Sequence, residues 1–415
     1  MSQIFSPRWN ITGVQFKLGL MMFLDFFVWG TWYVTMGTFL VDAFNADGIQ
    51  VAIAYEAQAI GAIVAPVIVG ILADRYFSAQ KLMGVIHLIG SVLLYQASVS
   101  HSFNQFYPYI LSYLILYMPT MALCNAISFR QMKNPTKEFT PIRVLGTIGW
   151  IAAGLFIAWF NWEAEKTLEK TFLLGAIVSV ILGVFSFTLP KTPPLVDRTK
   201  KVSILKLLGL DSFRILKSKS YLLFFISSIL ICIPLSFYYA WANPFLNDYG
   251  MAGAAGVMTL GQVSEVFFML LLPFFLLRFG IKNTLIIGIV AWFLRYLLFA
   301  YGGVTEQTWM LIVGIVLHGI CYDFFFVSGQ IYTELKAPKE YKSSAQGLIA
   351  LATYGVGMFL GFRFAGIVYE RYQDGGVTDW FGFWLIPAIF ALGVLIIFVL
   401  LFRETKKYST QSESN

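Results

Sequence analysis

Charged residues are scarce in this chain. Of its 415 residues only 12% are Asp, Glu, Lys or Arg, whereas 58% are hydrophobic and 17% are aromatic. The mean hydropathy is +0.73. A soluble globular domain carries about 25% charged residues because its surface faces water. This composition excludes a soluble protein and predicts a chain that crosses a membrane many times.

Residues that hold metals or act on phosphates are also scarce. The chain has three histidines and contains no HExxH helix, no GxxxxGKS or GxxxxGKT loop and no glycine-rich turn after a strand. Metal catalysis and nucleotide hydrolysis are therefore excluded, and we expect no enzyme activity and no cofactor. The three cysteines lie inside apolar runs, at Cys124, Cys232 and Cys321. We interpret them as small core residues rather than disulfide partners or metal ligands.

Apolar runs long enough to cross about 30 Å of hydrocarbon occur twelve times. They cover residues 14–40, 51–73, 81–100, 107–129, 141–161, 171–189, 221–246, 254–278, 283–302, 307–334, 344–369 and 380–402. Lys and Arg concentrate in alternate loops, so the positive-inside rule places both termini in the cytoplasm. Topology thereby explains the net charge of +7, and we expect no nucleic-acid partner.

The longest polar segment divides the chain into two blocks of six spans. We predict an N-terminal half at 1–190, a cytoplasmic linker at 191–220 and a C-terminal half at 221–415. A weak repeat supports this division, because GILADRYFSAQK after span 2 is matched by LLRFGIKN after span 8. The predicted fold is an all-α membrane protein with twelve transmembrane helices in two pseudo-symmetric halves and a midplane site between them. In the linker, LKLLGLDSFRIL is either an amphipathic helix on the inner membrane surface or a simple tether.

Two carboxylates lie well inside apolar spans. Glu265 belongs to span 8, in the stretch GQVSEVFFMLLLPFFLLRFGIK, and Asp323 belongs to span 10. An ionisable side chain at such a depth is costly unless it faces a partner or a water-filled cavity, so both are functional candidates. Gln262 lies one helical turn from Glu265 on the same face. This polar pair is the centre of the predicted site.

Other polar and aromatic residues repeat at helical spacing and so form stripes along four spans. The stripes are Arg143, Thr147 and Trp150 in span 5; Ser236, Tyr239 and Asn243 in span 7; His318, Tyr322 and Phe325 in span 10; and Asp25, Trp29 and Trp32 in span 1. Aromatic faces beside hydrogen-bonding groups fit a flat polar ligand such as a base joined to a sugar, because bases stack on aromatic rings.

Each stripe also has a purely structural interpretation. Aromatic residues can pack between helices or anchor the chain at the membrane interface, and the Ser, Thr and Asn side chains can bridge helices by hydrogen bonds. Arg143 can extend its charge to the cytoplasmic surface. Asp323 can hold an ion pair with Arg295 or Arg363. At the level of residues alone these alternatives stay open.

Several motifs resemble a known transporter family when they are taken together. GILADRYFSAQK resembles the loop after the second helix of the major facilitator superfamily, with Gly70, Asp74 and Arg75 at its Gly-x-x-x-Asp-Arg core, although Phe77 and Gln80 depart from its later positions. YMPTMALCNAISF, PIRVLGTIGW, LLGLDSF, PFFLLRFGIKN, YDFFFVSG and SAQG resemble the bacterial nucleoside:proton symporter family. The likeness extends from span 1 to span 12.

This resemblance implies a carrier that imports nucleosides with protons by alternating access, in the cytoplasmic (inner) membrane of a bacterium. It implies ligand contacts at Arg143, Thr147, Gln262, Glu265 and Tyr322. It also implies that Asp323 is a proton-linked carboxylate. Because a carboxylate shielded from water can take up and release a proton, we further predict that uptake is coupled to protons through both Glu265 and Asp323.

Four positions of the predicted substrate site depart from the family pattern. Trp150 stands where the nucleoside permeases have an aromatic residue in span 5, Ser236 and Tyr239 replace a polar pair in span 7, and His318 replaces a tyrosine in span 10. These differences leave the particular nucleoside open. His318 is also a candidate third participant in proton coupling.

Two other functions are compatible with the sequence. One is a major-facilitator symporter for another solute, such as a sugar or a nucleoside conjugate. The other is a non-transporting membrane receptor, which we do not expect because the sequence shows no soluble domain that would relay a signal. The expected partners are a nucleoside, protons and the lipid bilayer, and we expect a monomer.

Overall fold

The structure, a computed structural model, describes residues 13–73, 76–132, 135–194, 210–338 and 342–403. Within these ranges eleven helices are long and apolar enough to cross a membrane. The longest, Ala254–Val304, has 51 residues and turns at Gly280, whose φ of 74° lies outside the helical region. It therefore forms two spans, and the prediction of twelve transmembrane helices is confirmed.

Six spans make up the N-terminal half. Span 1 consists of Gly13–Gly30 and Met36–Phe44, which a short turn joins. Spans 2 to 6 are Gly48–Ile68, Ala79–Ser98, Phe103–Gln131, Pro135–Trp159 and Glu169–Ser186. Span 2 begins sharply because Asp47 and Gln50 form a reciprocal capping box, which satisfies two backbone N–H groups of its first turn.

The C-terminal half contains the other six spans. Spans 7 to 12 are Lys219–Asp248, the two parts of Ala254–Val304, Thr308–Lys336, Ser344–Tyr372 and Trp380–Leu401. A two-stranded antiparallel hairpin, Gln373–Asp374 with Val377–Thr378, connects spans 11 and 12. We call this side of the bundle the hairpin end. The opposite side, where Ser220 bonds to the carbonyl of Arg403, is the linker end.

Two spans of the C-terminal half change helix type in their middle. Span 10 forms a π-helical turn at Asp323–Val327, and span 11 forms one at Leu351–Gly357. Such turns place one extra residue in the helix, rotate the side chains that follow and are frequent at functional sites. The two interruptions are joined by a hydrogen bond between the hydroxyls of Tyr322 and Tyr354.

The halves meet along spans 2 and 11, spans 5 and 8, and spans 1 and 7. Small residues let the backbones approach closely there. A side chain in place of Gly37 would overlap the carbonyl oxygen of Ala240, and one in place of Gly366 would overlap that of Gly48. Close packing of small residues holds membrane helices together, because lipid gives no hydrophobic drive for association.

Polar contacts join the two halves at the hairpin end. Glu163, in the loop after span 5, is 7% exposed and accepts hydrogen bonds from Nδ2 of Asn243 at 2.8 Å and from the backbone N–H of Ala255 at 3.0 Å. Glu56 of span 2 and Arg363 of span 11 form an ion pair with two N–O distances of 2.7 Å. In this conformation the hairpin end is closed.

Several predicted features lie outside the described residues. These are Asp74, Arg75 and residues 195–209 of the linker. Of the amphipathic linker segment the structure describes a 3-10 helix, Leu210–Lys217, with Ile215 buried and Phe213 50% exposed. The predicted boundaries of the halves and the linker stay predictions.

Candidate functional site

A cavity lies between the two halves. Spans 1 and 5 contribute to its lining from the N-terminal half, and spans 7 and 8 contribute from the C-terminal half. Three residues of the predicted site line it, namely Trp150, Tyr239 and Gln262. Gly30 of span 1 and Tyr238 of span 7 are also among the lining residues. The N-terminal half presents the Trp150 ring to this space, and the C-terminal half presents two tyrosines and Gln262.

The predicted stripe of span 5 contributes Trp150 to the lining of this cavity on the N-terminal side. Arg143, Thr147 and Trp150 are all half-buried, as expected for side chains that share one helical face. The guanidinium carbon of Arg143 lies 4.3 Å from the centre of the Phe26 ring. This cation–π contact holds the arginine inside the bundle, rather than extended to the membrane surface.

The polar pair of span 8 contributes Gln262 to the lining on the C-terminal side. Gln262 and Glu265 are half-buried, and within the described residues neither side chain makes a hydrogen bond to another protein group. The charge of Arg143 acts on Glu265 across the halves. Both polar side chains are therefore free to bind a ligand.

Aromatic rings border the same space. Tyr239 of span 7 lies 5.5 Å, centre to centre, from Tyr33 of span 1 and so bridges the two halves. Trp150 contacts Trp29 edge-on at 5.2 Å. Tyr322 of span 10 is half-buried. Ring faces thus lie beside Gln262 and Glu265 of span 8, which have no hydrogen-bond partner within the described residues.

His318 is held by a buried arginine. Nη1 of Arg295 lies 2.9 Å from Nδ1 of His318, and the ring stacks on Tyr238 at 5.3 Å. A guanidinium can only donate hydrogen bonds, so Nδ1 accepts and the neutral ring carries its proton on Nε2. A second proton on Nδ1 would break this bond. The arrangement favours His318 as a donor and disfavours it as a proton carrier.

Asp323 lies at the start of the π-helical turn in span 10 and is 0% exposed. Within the described residues neither of its carboxylate oxygens has a hydrogen-bond partner. The structural alternative for this residue is wrong in this conformation, because Arg363 pairs with Glu56 and Arg295 bonds to His318. A buried carboxylate without a partner is a functional candidate with a specific need, namely a proton or a counter-charge.

Two members of the predicted stripe on span 7 make hydrogen bonds to protein groups away from the cavity. Ser236 is 0% exposed and donates to the carbonyl of Cys232 at 2.9 Å, against Met358 of span 11. Asn243 is also fully buried and bonds to Glu163 at the hairpin end. Their hydroxyl and amide groups already have protein partners, so of this stripe Tyr239 alone lines the cavity.

The helical stripes do not include two tyrosines that border the site. Tyr33 lies four residues after Trp29, so the helical spacing of span 1 contains the signal that would identify it. Tyr354, the partner of Tyr322, lies in the π-helical turn of span 11. Because that turn shifts the helical phase, a 3.6-residue pattern does not find it.

Comparison with known proteins gives a consistent set of matches. The family described as "Nucleoside H+ symporter" matches residues 12–407. The chain is 42% identical over 401 residues to the protein YegT of Escherichia coli (strain K12), with 94% of each chain covered. It is 34% identical over 405 residues to the nucleoside permease NupG and 32% identical over 406 residues to the xanthosine permease of the same organism, covering 94% of this chain and 96% of each relative.

A solved structure resembles the whole fold. The crystal structure of the nucleoside transporter NupG superposes with a TM-score of 0.85 at 33% identity, and the match covers 95% of this chain and 100% of that chain. The likeness therefore includes both six-span halves.

Proposed function

This chain belongs to the nucleoside H+ symporter family, and we propose that one nucleoside binds between Arg143 and Thr147 of span 5 and Gln262 and Glu265 of span 8. Membership makes the chain a nucleoside–proton symporter of the major facilitator fold and not an enzyme. The assignment of individual residues is our proposal.

The absence of hydrogen-bond partners for the pair on span 8 is the main support for placing the nucleoside there. Gln262 and Glu265 are half-buried polar groups inside a membrane span, and within the described residues they have no hydrogen-bond partner. Leaving such a group unsatisfied costs about 1–3 kcal/mol. A nucleoside supplies hydroxyls and ring nitrogens as the missing partners. Its base would lie against the ring faces of Trp150, Tyr239 and Tyr322, which stack on any base.

Proton coupling is assigned to Glu265 and Asp323. A charged carboxylate away from water is costly unless it is paired, whereas the protonated acid is not. Glu265 lies beside Gln262 and so can touch both the nucleoside and a proton. Asp323 is five residues after His318 and therefore about 140° around the helix from it, which places it behind the ligand wall. We propose that Asp323 gains and loses its proton as the halves move.

We assign the linker end to the cytoplasm, because the loops on that side hold most of the Lys and Arg residues. The hairpin end, where polar contacts join the two halves, then faces outward. Every proposed site residue belongs to a single chain, so a monomer suffices for transport.

Uptake by purified protein in proteoliposomes tests the function. Under an imposed pH gradient we expect accumulation of labelled nucleoside above equilibrium, with competition by unlabelled nucleosides and none by free sugars. Competition by sugars or nucleoside conjugates alone would identify a symporter for another solute. Ligand binding without any flux would identify a receptor.

Two variants test the proton assignment. We expect Glu265→Gln and Asp323→Asn to lose accumulation driven by a pH gradient, because neither amide can carry the proton, while nucleoside exchange at equal pH stays measurable. Glu306→Gln makes the same chemical change on an exposed loop and serves as the matched control. If both membrane variants still accumulate the nucleoside, neither carboxylate carries the proton.

A further inference from the structure

The N-terminal half contains a second pair of buried titratable side chains. Asp25 of span 1 is 0% exposed and His87 of span 3 is 1% exposed, and Oδ1 of the first lies 3.1 Å from Nε2 of the second. We propose that Asp25, His87 and Ser179 form a second proton-binding site of this transporter, in addition to Glu265 and Asp323. The proposal rests on the proton-coupled function above and extends it to the other half.

Donors surround the Asp25 carboxylate. Oγ1 of Thr120 lies 3.1 Å from Oδ1, and Sγ of Cys124 lies 3.4 Å from Oδ2. Oγ1 of Thr120 also lies 2.7 Å from the carbonyl oxygen of Tyr117, so its one proton has two acceptors. Charge-assisted hydrogen bonds from donors such as His87 and Cys124 stabilise a carboxylate in a dry interior. The other titratable or charged groups facing the pair are Tyr113, Tyr117 and Cys124 of span 4 and Arg143 of span 5.

The hydroxyl of Ser179 gives His87 two bonding states. Oγ of Ser179, on span 6, lies 3.1 Å from Nδ1 of His87 and 2.9 Å from the backbone oxygen of the same residue. A hydroxyl has one proton to donate and two lone pairs. If it donates to the backbone oxygen, it accepts from Nδ1–H, and the ring is an imidazolium. If it donates to Nδ1, the ring is neutral.

In both states Nε2–H of His87 donates to Asp25, and no polar atom of the pair is left without a partner. The change between them is balanced. One proton binds at Nδ1, the Ser179 O–H rotates from Nδ1 to the backbone oxygen, and the net charge of the pair changes from −1 to 0. An ion pair that is only structural needs one of these states. A site that takes up and releases a proton needs both, and imidazole is the side chain whose ordinary titration range suits that task.

The pair is connected with the nucleoside site through span 1. Phe26, the residue after Asp25, carries the guanidinium of Arg143 on its ring at 4.3 Å. One turn further along, Trp29 contacts Trp150 at 5.2 Å. When the pair loses its proton, its negative charge attracts the guanidinium of Arg143 toward span 1. When it regains the proton, Arg143 is released toward the ligand and Glu265.

The proton-to-nucleoside ratio tests the proposal. In proteoliposomes, a nucleoside gradient is balanced against an imposed proton gradient, and the point of zero net flux gives the ratio independently of the transport rate. We expect His87→Gln to lower the ratio by one proton. Ser179→Ala removes the rotating hydroxyl and should shift the pH dependence of uptake. The matched control is Ser186→Ala, because this buried serine of the same span donates to the carbonyl of Leu182 at 2.7 Å.

The possible failures are distinguishable. An unchanged ratio in His87→Gln overturns this proposal alone, because proton coupling through the C-terminal half would remain. A wild-type protein whose flux does not respond to pH overturns the proton-coupled function itself.

A second measurement needs no variant of the pair. The chain has three histidines, His87, His101 and His318, so nitrogen-15 labelling of histidine in nanodiscs gives few imidazole signals. His101→Gln removes the signal of the exposed loop residue, and Arg295 keeps Nδ1 of His318 unprotonated. Spectra are recorded between about pH 5 and 9, and we expect to observe both bonding states of His87, with Nε2 protonated in each. A single protonation state over this range overturns the proposal.

Discussion

Within the described residues, each half of this transporter buries one aspartate completely. The two aspartates differ in the number of hydrogen-bond donors around them. Around Asp25, spans 3 and 4 supply three side-chain donors. Around Asp323, within the described residues, no donor reaches either oxygen. Both residues are 0% exposed, so burial alone does not explain the difference. The N-terminal half surrounds its carboxylate with hydrogen-bond donors, whereas the described residues of the C-terminal half offer none to the carboxylate of Asp323.

This difference separates two ways of handling a proton. The Asp25 pair stays fully bonded in either protonation state, so it can change its charge without a large movement. Asp323 has no such alternative, because its charged form needs a partner that this conformation does not provide. A change of its protonation state must therefore accompany a rearrangement of spans 10 and 11, where the π-helical turns lie.

The largest expected effect is on stability. Asp25→Ala should lower the free energy of unfolding by about 3–5 kcal/mol, because it leaves His87 buried without the carboxylate that accepts from Nε2. Asp323→Ala removes no protein partner and should cost less than about 1 kcal/mol. Thermal denaturation of both variants in the same detergent measures this contrast. Equal losses would show that the two environments are energetically alike.

The next effect is on ligand affinity and compares one residue from each half. Gln262→Ala and Arg143→Ala each remove a buried polar contact worth about 1–3 kcal/mol, so each should weaken nucleoside binding about ten-fold or more. Isothermal calorimetry or a thermal-shift titration measures the change. Gln307→Ala, on an exposed loop, is the control. Unchanged affinity in both variants would remove these residues from the site.

The smallest expected effect concerns the aromatic wall of the C-terminal half. Tyr322→Phe keeps the ring but removes the hydroxyl that bonds to Tyr354, so binding should weaken by about 0.5–1.5 kcal/mol. Tyr322→Leu also removes the stacking face and should alter the preference among bases. Competition assays with purine and pyrimidine nucleosides detect both changes. If affinity and base preference survive in Tyr322→Leu, the base lies elsewhere.

The fold followed from the sequence because hydrocarbon imposes a simple rule. A membrane span must be long and apolar, and the twelve runs match the twelve spans even where the helix Ala254–Val304 has no loop between two of them. The helical spacing also put Arg143 and Trp150 on one face of span 5, and Gln262 and Glu265 on one face of span 8. These residues share faces with other polar groups, and periodicity reports shared faces directly.

The remainder of the site depends on tertiary contacts that periodicity does not contain. Ser236 and Tyr239 belong to one predicted stripe, but the first packs on span 11 and the second faces the cavity. A stripe does not say which neighbouring helix it will meet. The partners of Asp25 come from two other spans, at sequence separations of 62 residues for His87 and 95 for Thr120. No local pattern brings them together.

The contact between Glu163 and the first turn of span 8 has a mechanical consequence. The carboxylate belongs to one half and holds the N-terminus of a helix in the other, where it also complements the helix dipole. Gln262 lies eight residues from Ala254, or about 12 Å along that helix. Opening the outer side must release this end of the helix. The contact of Glu163 therefore couples the position of the helix that carries Gln262 to the closed state of the hairpin end.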